Sequence, residues 1–188
     1  MTVVGAFLVN SVTAFYLEEF YTQMADVFDD QGLYSDLSTP TEAETAGEAD
    51  GAQMLESILN VYAGELGVDG RNRKLYILDS NGACLIHPDG ETGQLNYSSN
   101  LTYALTEGLE TMEAGDESSV AGDFMDVAIP IRRGEDTYII YILDNKTTAN
   151  SLTGQMFVLI AEALVFGLVI SVLLSFLLSK TMVTPIQK

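Results

Sequence analysis

The chain has 188 residues, with 27 acidic side chains against 8 basic ones and a formal net charge of −19. A field of that sign repels nucleic acid and anionic lipid headgroups, which excludes nucleic acid as a partner and favours cations or cationic peptides. Cys84 is the single cysteine, so no intramolecular disulfide can form; exported domains without disulfides are ordinary in bacteria.

Residues 1–16, MTVVGAFLVNSVTAFY, are apolar but interrupted by Asn10 and Ser11. A signal peptide should carry a basic n-region, and no Lys or Arg precedes Arg71. The stretch therefore reads best as the end of a first transmembrane helix, with a signal peptide or a buried helix as the other readings. Ala14, Leu17, Tyr21, Met24 and Phe28 recur at helical spacing, which predicts one helix continuing from the membrane into a domain. Asp29-Asp30-Gln31-Gly32 ends it, and Ser38 to Gly51, without apolar periodicity, reads as a loop. Met54, Leu55, Ile58, Leu59, Tyr62 and Leu66 predict a second amphipathic helix that closes between Gly64 and Gly67.

The period then changes. Lys74 to Leu78 and Ala83 to His87 flank Asp79-Ser80-Asn81-Gly82, two β-rich runs around an Asn-Gly turn, which predicts a hairpin. A helix is expected over Leu101 to Glu113. Phe124 to Ile131 and Thr137 to Leu143 flank Arg132-Arg133-Gly134-Glu135-Asp136 and predict a second hairpin. Tyr138 to Leu143 is apolar on both faces, so that strand belongs mid-sheet. The order predicts an α+β domain over residues 17–153, an antiparallel sheet backed by helices.

From Gln155 the chain reads QMFVLIAEALVFGLVISVLLSFLLSKTMVTPIQK. Met156 to Leu178 holds one charge, Glu162, and about 20 apolar residues suffice to cross the ~30 Å hydrocarbon core as a helix. Residues 155–179 are therefore expected to span a membrane. Lys180 and Lys188 follow the span and no basic residue lies close before it. The positive-inside bias places the C-terminus in the cytoplasm and the acidic domain outside.

The long first helix, the LYILDSNGACLIHPDG hairpin, the AIPIRRGEDTYIIYILD strand pair and the tail LLSFLLSKTMVTPI together resemble the sensory half of bacterial two-component receptors. The outer part resembles the extracytoplasmic PAS-like (Cache/PDC) type. Residues 180–188 resemble the start of a HAMP linker, with Pro185 matching its opening proline. The Ser-Lys-Thr form looks most like sensor histidine kinases of Gram-positive lineages, and chemoreceptors share the layout. The resemblance implies a homodimer in the cell membrane that senses a small ligand, cations or a cationic peptide. It also implies a signal passed to a response regulator through a cytoplasmic kinase. A membrane-anchored structural or adhesion domain is the reading from another class. The chain itself carries no catalytic set, and no cofactor or metal is expected.

By the resemblance, Arg71, Arg73, Tyr76, Arg132 and Tyr138 are conceivable pocket residues, with arginines suited to a carboxylate or phosphate. The plainer reading makes the tyrosines core aromatics and places the arginines in turns. Glu162 and Pro185 are the candidates for signal transmission, since an acid within a span is a functional candidate by default. Glu162 would sit near the outer boundary if the helix ends inside at Leu178. His87, the only histidine, is a structural or surface group, with pH sensing as the sharper alternative. Cys84 reads as a small buried hydrophobe. The acidic clusters lack an Asp-x-Asp-x-Asp-Gly loop and read as a solvated face. Asn96, Asn100 and Asn145 head Asn-x-Ser/Thr triplets, acceptors only in a eukaryotic secretory route.

Overall fold

The computed structural model describes residues 2–68, 73–88, 95–115, 125–144 and 147–183. The chain divides into two compact units, one of Thr13–Thr148 and one of Met1–Val12 with Ala149–Lys188.

In the first unit a four-stranded antiparallel sheet carries helices on both faces. Helix α1, Thr2–Phe28, buries Leu17, Phe20 and Met24, the apolar stripe that its 3/4 spacing dictates. It ends at Phe28, and Asp30 N-caps α2, Gln31–Ser38, its carboxylate accepting from the Gly32 and Leu33 amides. Leu33 and Leu37, one turn apart, are fully buried, each stabilising by roughly 1.5–3 kcal/mol. Within the expected loop, α3, Glu42–Thr45, forms a single turn held by a reciprocal capping box between Thr41 and Glu44. Helix α4, Gly51–Val61, turns Ala52, Leu55 and Leu59 inward. A kink at Tyr62 leads to α5, Ala63–Leu66, which Gly67 terminates at φ 66°, a left-handed position that suits glycine.

Strands β1, Arg73–Asp79, and β2, Cys84–Ile86, form the first hairpin. The Asp79 carboxylate accepts from the Asn81 and Ala83 amides, and Gly82 takes φ 84°. Strands β3, Met125–Arg133, and β4, Asp136–Asp144, form the second around Gly134 at φ 66°. The sheet order β2-β1-β4-β3 puts β4 between two neighbours, where its apolar run is buried. Leu75, Ile77, Val127, Ile131, Ile140 and Ile142 face α1, α2 and α4 in the larger core. Tyr76, Leu78, Ala128, Ile139 and Tyr141 face the other way, against Leu101 and Ala104.

Those two residues belong to the helical segment that covers the second face: α6, Ser99–Tyr103, a π turn over Ala104–Gly108, and α7, Leu109–Thr111. A plain helix was expected there. The widened turn coincides with Gly108, where a Cβ would lie 2.7 Å from the Glu113 carbonyl. Beyond it, Met112 is left-handed at φ 58° and Gly115 forms a two-bond bridge with Ala128 on the β3 edge. Pro130 shares the parity of Ala128, so its missing N–H falls on the open side of that edge strand. A proline there discourages pairing with another chain.

In the second unit, α8, Thr147–Val183, carries the apolar stretch Val158–Lys180 with a mean hydropathy of 2.5. It is the one described helix long and apolar enough to cross a membrane. Leu164, Phe166, Val169, Leu173 and Phe176 are exposed on it, as expected of a surface that lipid would cover.

Candidate functional site

Three polar clusters are built into the sheet-containing unit. The first surrounds Arg73 at the start of β1. Its Nε donates to Asp144 Oδ2 at 3.1 Å, its Nη1 donates to Gln23 Oε1 at 3.0 Å and to the Leu66 carbonyl, and its guanidinium lies 4.9 Å from the Phe20 ring centroid. Gln23 in turn donates to the Glu65 carbonyl. One side chain thus joins α1, α5, β1 and the end of β4, which stops three residues before α8 begins.

The second cluster surrounds Arg133, whose side chain is 1% exposed. Its Nε and Nη2 donate to Glu44 Oε1 and Oε2 at 2.6 and 2.7 Å, a two-pronged contact. Its Nη1 donates to the Asp36 and Leu37 carbonyls, supplying donors for the C-terminal end of α2. Glu44 Oε2 also accepts from the Thr41 amide and hydroxyl. The hydrogen bonds from Arg133 outweigh the opposing effect of burial, and with those from Thr41 they hold the Glu44 carboxyl at about 2, well below its usual 4.5.

The third cluster centres on Asp126 in β3, which is 7% exposed. Ser98, the N-cap of α6, donates its hydroxyl to Asp126 Oδ2. Asn100 donates to Asp126 Oδ1 at 3.2 Å and to its backbone carbonyl at 2.9 Å, and Tyr21 donates to that carbonyl at 3.0 Å. Burial first, and the nearby Asp126 carboxylate among the further causes, push the Tyr141 phenol above its ordinary value. Asn100 is 2% exposed with its amide engaged, so a glycan at this triplet is incompatible with the fold; Asn96 is exposed.

The residues picked out as pocket-lining do not converge. Arg73 faces the larger core and is committed to the contacts above. Tyr138 packs on that same face at the start of α4, where a Cβ on Gly51 would meet its hydroxyl at 2.5 Å. Burial, with Asp136 next, raises its phenol. Tyr76 lies on the opposite face, its ring 5.9 Å from that of Tyr141. Arg132 is exposed, and its neighbour Arg133 is the buried one. Strand pleating sends adjacent residues to opposite faces, and the parity of Val127 and Ile131 carries Arg133 inward. Arg71 and Pro185 lie outside the described residues. Glu162 is exposed on α8, near the start of its apolar stretch.

Neither of two clefts among the described residues of this unit is lined by those side chains. One, about 80 Å³, runs between Tyr21, Met24 and Phe28 of α1 and Val127 and Ile129 of β3. The other is a wide-open depression of about 550 Å³ beside Phe28, Gln31 and Tyr34. The first is well under the ~300 Å³ of an ordinary small-molecule site. His87 is exposed, its Nδ1 3.5 Å from Cys84 Sγ and its ring edge-on to Tyr76. Burial raises the Cys84 thiol, opposite to the shift that makes a thiol reactive. Among the described residues, no three His, Cys, Asp or Glu side chains come together as metal ligands.

No protein-family model matches the chain, and no curated protein and no solved structure matches it.

Proposed function

We propose that this chain is the extracytoplasmic sensing and membrane-crossing segment of a bacterial sensor histidine kinase, with a PAS-like sensor fold and a HAMP linker from Lys180 onward. The observation that carries this reading is the Arg73 cluster. It ties the helix that brings the chain into the domain to the end of the central strand, three residues before the helix that holds the apolar span. A shift of the sheet relative to α1 therefore has a short covalent route to the span.

In this reading two chains pair, and an outside event biases two packings of similar energy in the helices beyond the membrane. The domain's acidity favours a cation or a cationic peptide as the signal. The chain performs no chemistry itself; phosphoryl transfer to a response regulator belongs to the cytoplasmic kinase.

The test is a chimera carrying residues 1–188 in front of the HAMP and kinase modules of a receptor with a measurable output. The reading expects kinase output to differ from that of the same modules on bare spans, and to change with Arg73→Lys. Identical output from the chimera, the bare spans and the variant sinks it.

A further inference from the structure

The two clefts of the sheet-containing unit meet at one side chain. Phe28, the last residue of α1, lines both the recess of about 80 Å³ and the open depression of about 550 Å³. The recess is apolar, walled by Met24 and Ala25 of α1 and by Val127 and Ile129 of β3, with room for one apolar side chain. The depression runs past Asp29 and Gln31 to Tyr34 on α2, an aromatic residue that is 49% exposed. Asp30 caps α2 with its carboxylate, and Asp29 beside it is exposed.

The charge around this bend is of one sign. Helices α1 and α2 and the turn between them carry Glu18, Glu19, Asp26, Asp29, Asp30 and Asp36, and no Lys, Arg or His precedes Arg71. The two arginines that reach these helices from the sheet are ion-paired, Arg73 with Asp144 and Arg133 with Glu44. A positive side chain arriving at the bend therefore meets an attractive potential and two aromatic rings to lie against.

Other occupants fit less well. A small molecule usually buries about 70–90% of its surface in its site, and the depression is wide open. Among the described residues no three His, Cys, Asp or Glu side chains converge on a bare metal ion. A second copy of the chain would bring its own net charge of −19, and anionic lipid is repelled for the same reason. A strand from another chain finds no free ladder on β3. Tyr21 holds the Asp126 carbonyl, Gly115 holds both backbone groups of Ala128, and Pro130 has no N–H. Recognition at this edge falls to side chains.

We propose that the bend between α1 and α2 docks a cationic amphipathic peptide. One apolar side chain of the peptide enters the recess beside Phe28. A neighbouring Lys or Arg lies along Phe28 and Tyr34 with its charge toward Asp29. The site deepens the sensor reading and rests on it for placing this bend outside the membrane.

The chain has no Trp, so a short peptide of Lys and Leu with one Trp reports its own binding by fluorescence anisotropy. The full chain is held in neutral-detergent micelles, with empty micelles as the blank. The peptide is expected to bind, and versions with Glu for Lys or Ser for Leu bind about tenfold or more weakly. Tyr34→Ala and Asp29→Asn, both at exposed positions, each weaken binding about threefold. Ala25→Leu fills the recess from an exposed position and weakens binding by a similar factor. Glu107→Gln, exposed on the helical segment over the opposite sheet face, removes the same charge as Asp29→Asn and leaves binding unchanged. A Lys-Leu peptide that does not bind overturns the proposal, as does native-like binding to Tyr34→Ala or Ala25→Leu. Equal losses from Glu107→Gln and Asp29→Asn also overturn it, because they mean diffuse attraction without a site. Absent binding beside an active chimera removes this site alone, and a silent chimera whose chain still binds the peptide removes the sensor reading alone.

Discussion

Replacing Glu44 by Gln isolates the Arg133 cluster, because it keeps the side chain's shape and removes only the charge. Glu44 is 8% exposed at its side chain, so solvent screens the pair little. Its carboxyl moves from 4.5 to about 2 on folding, chiefly through Arg133, and at about 1.4 kcal/mol per pH unit this is worth about 3 kcal/mol. The native value lies below the unfolded one. The contribution is therefore complete above about pH 4.5 and is lost as pH falls through about 2. Glu44→Gln also strands a guanidinium in the core, a defect that costs about 3–5 kcal/mol when one partner of a buried pair is removed. The two estimates describe the same bond from its two ends and agree. The chain has no Trp and nine Tyr, so denaturant unfolding in micelles can be followed by tyrosine fluorescence. Glu44→Gln is expected to lose about 3 kcal/mol at pH 7 and to show a flatter stability profile between about pH 4.5 and 2. A variant within about 0.5 kcal/mol of the native chain, or one with an unchanged acid limb, refutes the assignment of Arg133 and Glu44 as a buried pair.

Adjacent arginines give a paired prediction: Arg133→Ala destabilises by about 3–5 kcal/mol in the same assay, whereas Arg132→Ala stays within about 0.5 kcal/mol. Gly115→Ala drives a Cβ into the Asn100 backbone carbonyl, so the backbone at the bridge to Ala128 must shift; a loss above about 2 kcal/mol is expected, and a neutral result contradicts the close approach. Val169, midway along the apolar stretch, tests the span: Val169→Asp costs insertion about 2.5–3.5 kcal/mol and is expected to increase the fraction extracted by alkaline carbonate. Glu162→Gln, near the outer end of the stretch, leaves that fraction unchanged.

Both hairpins and the placement of β4 were legible because they rest on local chemistry: Asn81-Gly82 specifies a tight turn, and an apolar run on both faces needs a neighbour on each side. Helix α2 was missed because Leu33 and Leu37 are too few for a period, although Asp30 is an N-cap signal in plain view. The Thr41-x-x-Glu44 capping box likewise marked α3 inside the presumed loop. The clusters were legible only in part. The parity of Val127 and Ile131 points to Arg133 as the inward arginine, yet its partner lies 89 residues earlier. Asp126 stands out as an acid in an apolar strand, but Ser98, Asn100 and Tyr21 reach it from two other elements. Such pairings are properties of tertiary packing, and no local period encodes them.

The sensor-kinase reading is tested most directly by the genomic reading frame on either side of this chain. The account predicts an apolar stretch upstream that completes a first span. Downstream of Lys188 it predicts a histidine-bearing helical hairpin followed by an ATP-binding α/β domain. Long apolar heptads without an ATP site would make the chain part of a chemoreceptor instead, and a stop codon directly after Lys188 would contradict both and leave an anchored domain.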